Sequence, residues 1–246
     1  MTHQGGNGSA PATGSAPSRP AGSIESLYPF LYSGTTDVSE VLEQVRQSTV
    51  AKATEILQLR RTVRDTDGAR LLACAREMAG RFAAGGRLLS FGNGGSATDA
   101  QQLTTLFLAP GRNARPLPAL SLASDASVLT ALSNDIGVDV VFARQLAAFA
   151  GKADIAVGLS TSGNSANLLR AFDEASRRGM LTIGIAGYTG GKMAELDCID
   201  YLFVAPSTSV HRIQEAQTTI YNILWELCQG ELGTEFAAGT GREAVP

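Results

Sequence analysis

The chain has 246 residues, of which 44% are hydrophobic and 17% are charged, and its formal net charge is -3. This length and composition are typical of a globular protein with one substantial core or two small ones, and they argue against fibrous and membrane classes. The acidic balance argues against direct binding of nucleic acid. Three widely spaced cysteines favour buried free thiols in a reducing compartment over a disulfide framework or a zinc cluster.

The two ends of the chain are expected to form flexible tails. Residues 1–23 are rich in Gly, Ser, Ala and Pro and lack the charged start and apolar centre of a secretory signal. Residues 233–246 have a similar composition. No apolar run is long enough to cross a membrane. We therefore expect a cytoplasmic protein without membrane association, whose domain spans residues 37–230.

The first predicted elements are helices. Between Asp37 and Val63, apolar residues recur at helical rather than alternating spacing. Asp67 then precedes a second helical segment, Ala69 to Ala84. The pattern predicts an N-terminal helical arm made of two helices.

After residues 85–86 the pattern changes to short apolar runs that alternate with longer segments of helical period. The runs are RLLSFG, LPALSLA, DIAVGLS, LTIGIAG and DYLFVAP. Such alternation predicts an α/β fold with a doubly wound, flavodoxin-like parallel sheet of five strands, covered by helices on both faces. In this architecture ligands bind at the carboxyl ends of the strands, so the chemistry is expected in the turns that follow them.

The turn STSGNSAN, residues 160–167, carries more hydroxyl groups than a turn requires. They belong to Ser160, Thr161, Ser162 and Ser165. Hydroxyls can donate to phosphate oxygens, and the helix that follows adds free N–H groups and the positive end of its dipole. A plain helix cap explains one such residue but not four. The turn therefore predicts a phosphate site.

Two further turns are candidates, GNGGSATD at residues 92–99 and GYTGGK at residues 187–192. The first does not fit the dinucleotide pattern G-x-G-x-x-G, because Ala97 occupies the place of the third glycine. It does not fit a P-loop either, because no Gly-Lys-Ser/Thr follows. A nucleotide ligand is therefore disfavoured.

Taken with Asn134-Asp135 and with RIQEAQ at residues 212–217, these turns resemble the sugar isomerase (SIS) domain family over residues 37–229. Within that family the chain is similar to phosphoheptose isomerases and to their non-enzymatic relative, the DnaA initiator-associating protein. The resemblance implies a phosphosugar ligand and a homotetramer. The substrate-binding set is Asn93, Gly94, Ser96, Asn134, Asp135, Ser160, Thr161, Ser162, Ser165 and Gln214.

The chain departs from the isomerase pattern at the positions that carry the chemistry. The family's His and Glu on the helix after GNGGS, and its Gln and His on the last helix, can jointly hold zinc. Here those positions are Gln102, Leu106, Gln214 and Asn222. Only Gln214 is retained, and neither glutamine nor asparagine is a base near neutral pH or a good zinc ligand. We therefore expect no metal and no cofactor.

The catalytic residue, if there is one, stays open. His3 lies in the predicted tail, and His211 is expected to be solvated or to cap the last helix. The candidate carboxylates are Asp99, Glu215 and Asp135. Of these, Asp99 is expected mainly to cap its helix or to orient the loop. Glu215, at the start of the last helix, is the best available carboxylate if the protein is catalytic.

Two functions remain open from the sequence. The first is an isomerase of phosphorylated sugars, with sedoheptulose 7-phosphate as the expected substrate. The second is a sugar-phosphate-sensing or protein-interaction module without turnover, whose protein partner the sequence does not identify and whose contact with DNA would be indirect. In both cases the arm and the apolar face of the last helix are expected to expose surface for self-association. That face carries Ile213, Ile220, Leu224 and Leu227, with Trp225 beside it.

Overall fold

The computed structural model describes residues 38–111 and 114–233. The predicted tail at residues 1–23, and residues 234–246 of the predicted tail at the other end, lie outside the described residues. The chain divides into two compact units, residues 1–50 and 51–246, and the sheet, core and site all belong to the second unit.

The N-terminal arm is one continuous helix, α1, from Val38 to Ala83, so the prediction of two helices was wrong. Asp67 and Gly68 suggested a break, but a single helical glycine costs only about 1 kcal/mol. The Asp67 carboxylate accepts a hydrogen bond from Arg70 one turn later, at 2.8 Å. Val63 and Leu71, on either side of the suggested break, are both buried in the same core cluster, which holds the helix continuous.

Five parallel strands form a single sheet in the order β2-β1-β3-β4-β5. Their bounds are Leu88–Gly92 for β1, Ala119–Ser121 for β2, Ile155–Ser160 for β3, Leu181–Gly187 for β4 and Tyr201–Ala205 for β5. Each predicted apolar run contains one of these strands. The order reverses between β1 and β3, which is the point where ligands bind in open α/β sheets.

Helices connect the strands and confirm the doubly wound class. They are α2 at Gly95–Leu108, α3 at Ala126–Ile136, α4 at Val141–Phe149, α5 at Ala166–Arg177 and α6 at Val210–Glu231. Two short 3₁₀ helices lie at Val138–Val140 and Gly191–Glu195. Among the described residues no single helix is both long and apolar enough to cross a membrane. In the part of the chain that the structure describes, one pair, formed by α3 and residues 138–149 and bent by 120°, has that length and hydropathy when taken together.

The core lies on both faces of the sheet. Leu88 and Leu89, adjacent in β1, belong to different core clusters because successive strand side chains point to opposite faces. One cluster joins α1, α2 and α6. The other joins α4 and α5, where the rings of Phe91 and Phe172 meet edge to face at 5.3 Å.

The apolar face of α6 is buried, which corrects the expectation that it is left exposed. Ile213, Ile220 and Leu224 are no more than 2% exposed, and Leu227 and Trp225 are partly buried against the core. A set of exposed large apolar residues lies on α1. They are Val41, Leu42, Val45, Val50 and Leu57.

Candidate functional site

The residues from 160 to 165, here called the hydroxyl turn, follow the end of β3. The Ser160 Oγ accepts a hydrogen bond from the Gly163 N–H at 3.1 Å and lies 3.5 Å from the Ser165 Oγ. The Ser162 Oγ accepts from the Asn164 N–H at 3.3 Å. A hydroxyl that accepts from the backbone keeps its own hydrogen, which it can donate to a ligand oxygen. The turn is therefore organised around donors.

The start of α5 adds further donors to the hydroxyl turn. Ser165 is the residue before the first turn of α5 and makes no side-chain capping hydrogen bond. The first N–H groups of a helix have no partner within it, and together with the helix dipole they favour an anion. The hydroxyl turn and the helix start thus supply two sets of donors to one place.

The segment Gly187–Lys192, here called the glycine loop, holds the hydroxyl turn in shape. The Met193 N–H donates to the Gly163 carbonyl at 3.0 Å, and the Lys192 N–H donates to the Asn164 Oδ1 at 2.9 Å. Gly163 has a φ of 67°, and a Cβ there would collide with the Gly190 carbonyl. Two of the three turns singled out in the sequence are therefore in direct contact.

A pair of side-chain amides links the turn after β1 to the start of α5. The Asn93 and Asn167 side chains donate to each other, with both N···O distances at 2.9 Å. Asn93 follows β1, whereas Asn167 lies in the first turn of α5 and is 5% exposed. The pair connects the turn after β1 with the first turn of α5. Sequence reasoning gave Asn167 no role, because an asparagine near a helix start reads as an ordinary turn residue.

A cavity of about 380 Å³ lies between the starts of α2 and α6. It is lined by Gly95, Thr98, Asp99, His211, Gln214, Glu215 and Thr218. The Gln214 Nε2 lies 3.4 Å from the Asp99 Oδ2, and Asp99 is 8% exposed. Burial raises the pKa of the Asp99 carboxyl, and the Gln214 amide only partly opposes this effect. Asp99 thus lies inside α2 and faces α6, which corrects the expectation that it caps its helix.

The sheet order and the turns at its carboxyl edge are those of a known domain. Residues 53–187 match the model of the SIS domain. The chain belongs to the SIS domain family.

Phosphoheptose isomerases are among the relatives of this SIS domain. The enzyme of Solidesulfovibrio magneticus is 48% identical over 164 residues, covering 66% of this chain and 79% of the relative. That of Pelodictyon phaeoclathratiforme is 42% identical over 203 residues, covering 81% and 94%. Among solved structures, the phosphoheptose isomerase of Neisseria gonorrhoeae is 31% identical with a TM-score of 0.69, over 76% of this chain and 99% of that one.

The zinc that the resemblance implies does not fit the donors of this SIS domain. The Gln102 Oε1 accepts a hydrogen bond from the Tyr221 hydroxyl at 3.1 Å, and the Asn222 Nδ2 donates to the Thr218 carbonyl at 2.8 Å. Leu106 packs against the core. Within residues 38–111 and 114–233, no three His, Cys, Asp or Glu side chains are grouped to hold a metal. We therefore derive no step through a metal.

Asn134 and Asp135 are not brought into the cavity around Asp99. They lie in the last turn of α3, and both are exposed. The Asn134 Nδ2 donates to the Asp135 Oδ1 at 3.1 Å. The remaining predicted residues lie at the start of α2, where Gly94 precedes the first turn and the N–H of the buried Ser96 donates to the Asn93 carbonyl at 3.0 Å.

Gln217 is a site-supporting residue that the sequence did not reveal. Its side chain is fully buried, and its Nε2 donates to the carbonyls of Ile185 at 3.1 Å and Ser160 at 3.4 Å. It therefore ties α6 to the ends of β3 and β4, at the residue where the hydroxyl turn begins. In the sequence it reads as one more polar residue in an amphipathic helix.

Proposed function

We propose that this SIS domain binds a phosphorylated sugar of the sedoheptulose 7-phosphate class at the carboxyl edge of its sheet. The observation that carries the proposal is the hydroxyl turn, whose backbone the glycine loop fixes. Its Ser162 hydroxyl accepts a backbone N–H and keeps its hydrogen, and the Ser160 and Ser165 hydroxyls, which bond to each other, keep one further hydrogen for a ligand oxygen. The start of α5 supplies the N–H groups that favour a phosphate. The carbon chain then lies beside the start of α6, where Asn93, Ser96 and Gln214 are the polar contacts.

We further propose that isomerisation is slow or absent. Aldose–ketose interconversion through an enediol needs a group that removes a proton from carbon. Gln102, Leu106 and Asn222 cannot do so, and their hydrogen bonds and packing serve the fold. Of the remaining carboxyls, Glu215 forms an ion pair with Arg212 at 2.8 Å. Asp99 is then the best-placed base, and Asp135 the least suitable because it lies outside the cavity.

A second candidate function is a sugar-phosphate-sensing or protein-interaction module. This module is favoured because the hydroxyl turn is intact while the side chains at positions 102, 106 and 222 are unreactive. On this proposal the bound phosphosugar stabilises one conformation of the protein, and a partner protein binds that conformation.

The assembly and location belong to the same proposal. Exposed apolar side chains at Val41, Leu42, Val45 and Val50 support self-association, and we propose a homotetramer. A cytoplasmic location is supported by the free state of all three cysteines, two of which are buried. We propose no direct contact with nucleic acid or membrane.

Thermal unfolding tests the binding proposal. A ligand bound only by the folded state adds RT ln(1 + [L]/Kd) to its stability, about 2.7 kcal/mol at a hundredfold excess over Kd. Sedoheptulose 7-phosphate is expected to raise Tm, and unphosphorylated sedoheptulose to raise it far less. The double variant Ser162→Ala, Ser165→Ala should lose the shift, whereas Gln102→Ala should keep most of it. A wild-type Tm that no phosphosugar changes would remove the proposal.

A further inference from the structure

Tyr188 has a backbone conformation that tyrosine rarely adopts. Its φ is 52°, and it is the one non-glycine residue with positive φ within the described ranges 38–111 and 114–233. The left-handed region brings a Cβ too close to the following carbonyl, so it favours glycine. Core packing does not explain the tyrosine, because 38% of it is exposed. Strained residues of this kind cluster at ligand sites.

The glycine loop imposes this conformation. The Gly190 N–H donates to the Gly187 carbonyl at 2.8 Å, which closes a tight turn around Tyr188. A Cβ on Gly187 would lie 2.6 Å from the Thr161 carbonyl oxygen, so the backbone just before Tyr188 is packed against the hydroxyl turn. The tyrosine is therefore fixed next to the proposed phosphate site by the same loop that shapes it.

Tyr188 lines a cavity of about 470 Å³ at the ends of β4 and β5. The other lining residues are Thr189, Pro206, Ser207 and Thr208. Four of the five side chains carry a hydroxyl and none is charged. The Ser207 Oγ accepts from the Ser209 N–H at 3.2 Å, which leaves its hydrogen available. Hydroxyls can both donate and accept, and the tyrosine ring offers a flat apolar face, so this lining suits the hydroxylated carbon chain of a sugar.

We infer that this cavity holds the hydroxylated carbons between the phosphate and the carbonyl end of the sugar, and that Tyr188 sets the preference for a long carbon chain. The inference rests on the proposed phosphosugar binding and deepens it. Residues 206–208 of the cavity lead directly into α6, whose His211 and Gln214 line the cavity around Asp99. A seven-carbon phosphosugar has four more carbons than a three-carbon phosphate with which to contact both regions.

Calorimetric titration with three probes tests this inference. The probes are sedoheptulose 7-phosphate, glycerol 3-phosphate and inorganic phosphate. Tyr188→Gly should weaken binding of the seven-carbon probe about tenfold, the effect of losing one good contact, and leave the two smaller probes within about twofold. The free Tyr188→Gly protein should unfold at a Tm no lower than wild type, because glycine accepts the positive φ. Tyr188→Phe keeps the ring and the strain, so any loss that it shows is due to the hydroxyl.

Tyr201→Phe is the matched control, since the Tyr201 hydroxyl donates to Glu77 at 2.6 Å, away from both cavities. It should bind all three probes as wild type does. Wild-type affinity for sedoheptulose 7-phosphate in Tyr188→Gly would overturn the inference, and so would an equal loss for inorganic phosphate. A wild-type protein that binds none of the probes would instead refute the proposed function and this inference with it.

Discussion

Asp99 and Asp154 are both buried, but their neighbours leave their pKa values shifted in opposite directions. Asp154 is 4% exposed, and its carboxylate accepts hydrogen bonds from the Gly151 N–H and from the backbone and guanidinium of Arg87. Burial alone would raise its pKa, but the bonds from Arg87 and Gly151 outweigh burial and hold the pKa below its usual value. Asp99 is paired with the neutral Gln214 amide, and its pKa is raised. The aspartate with the lowered pKa lies before β3, and the aspartate with the raised pKa lines the cavity between α2 and α6.

Asp154 should make the free energy of unfolding depend on pH in the acid range. Because its folded pKa is lowered from 3.8, its stabilisation is fully present above that pH and is lost as pH falls through the folded value. We expect Asp154→Asn to lower the free energy of unfolding by about 2 kcal/mol at pH 7, and by progressively less below pH 3.8. Urea unfolding of the wild type and the variant at a series of pH values measures this cost at pH 7 and below pH 3.8. Asp173→Asn, at a carboxylate that is 68% exposed, is the control and should change little. A cost for Asp154→Asn that does not vary with pH would contradict this account.

Among the secondary-structure elements, the strands could be predicted from the sequence, whereas the continuity of α1 and the contact between Asn93 and Asn167 could not. Every residue of β3 and β4 is buried, so each strand reads as a nearly continuous apolar run. The hydroxyl turn was also visible, because four hydroxyls in one turn exceed what capping needs. The continuity of α1 was missed, since Asp67 and Gly68 carry a local break signal that packing on both sides overrides. The reciprocal amides of Asn93 and Asn167 were missed because 74 residues separate them and only the fold brings them together.

Substitution of Gln217 tests whether α6 positions the hydroxyl turn. Replacing it with leucine leaves the carbonyls of Ser160 and Ile185 without the amide donor, which should lower stability by about 1–3 kcal/mol. It should also weaken sedoheptulose 7-phosphate binding about tenfold, because Ser160 begins the turn. Gln229→Leu is the matched control: Gln229 is also fully buried on α6, but its side chain bonds to the backbone of Arg115 at 2.7 and 3.0 Å.

Calorimetric titration and urea unfolding of both variants separate the two effects. Gln229→Leu should lose comparable stability and keep wild-type affinity. Equal affinities in the two variants would show that Gln217 contributes only to stability.

At the scale of the whole molecule, the exposed apolar residues of α1 support self-association. Leu42 is 63% exposed and Val45 is 56% exposed, and such residues on one helix usually mark an interface. The double variant Leu42→Glu, Val45→Glu should reduce the mass found by sedimentation equilibrium at micromolar concentration from that of a tetramer. Gln44→Glu adds a charge to the same helix and should leave the mass unchanged. A wild-type monomer would contradict the proposed assembly.

We propose that this SIS domain binds a phosphosugar without the base that the resemblance implies for its enzymatic relatives. The direct test titrates sedoheptulose 7-phosphate into the protein by calorimetry and then follows the same sample by NMR for formation of the aldose. The Neisseria gonorrhoeae phosphoheptose isomerase serves as the positive control for conversion. We predict saturable binding with little or no aldose over the time in which the control reaches equilibrium. Rapid conversion, or no heat of binding at all, would contradict the account.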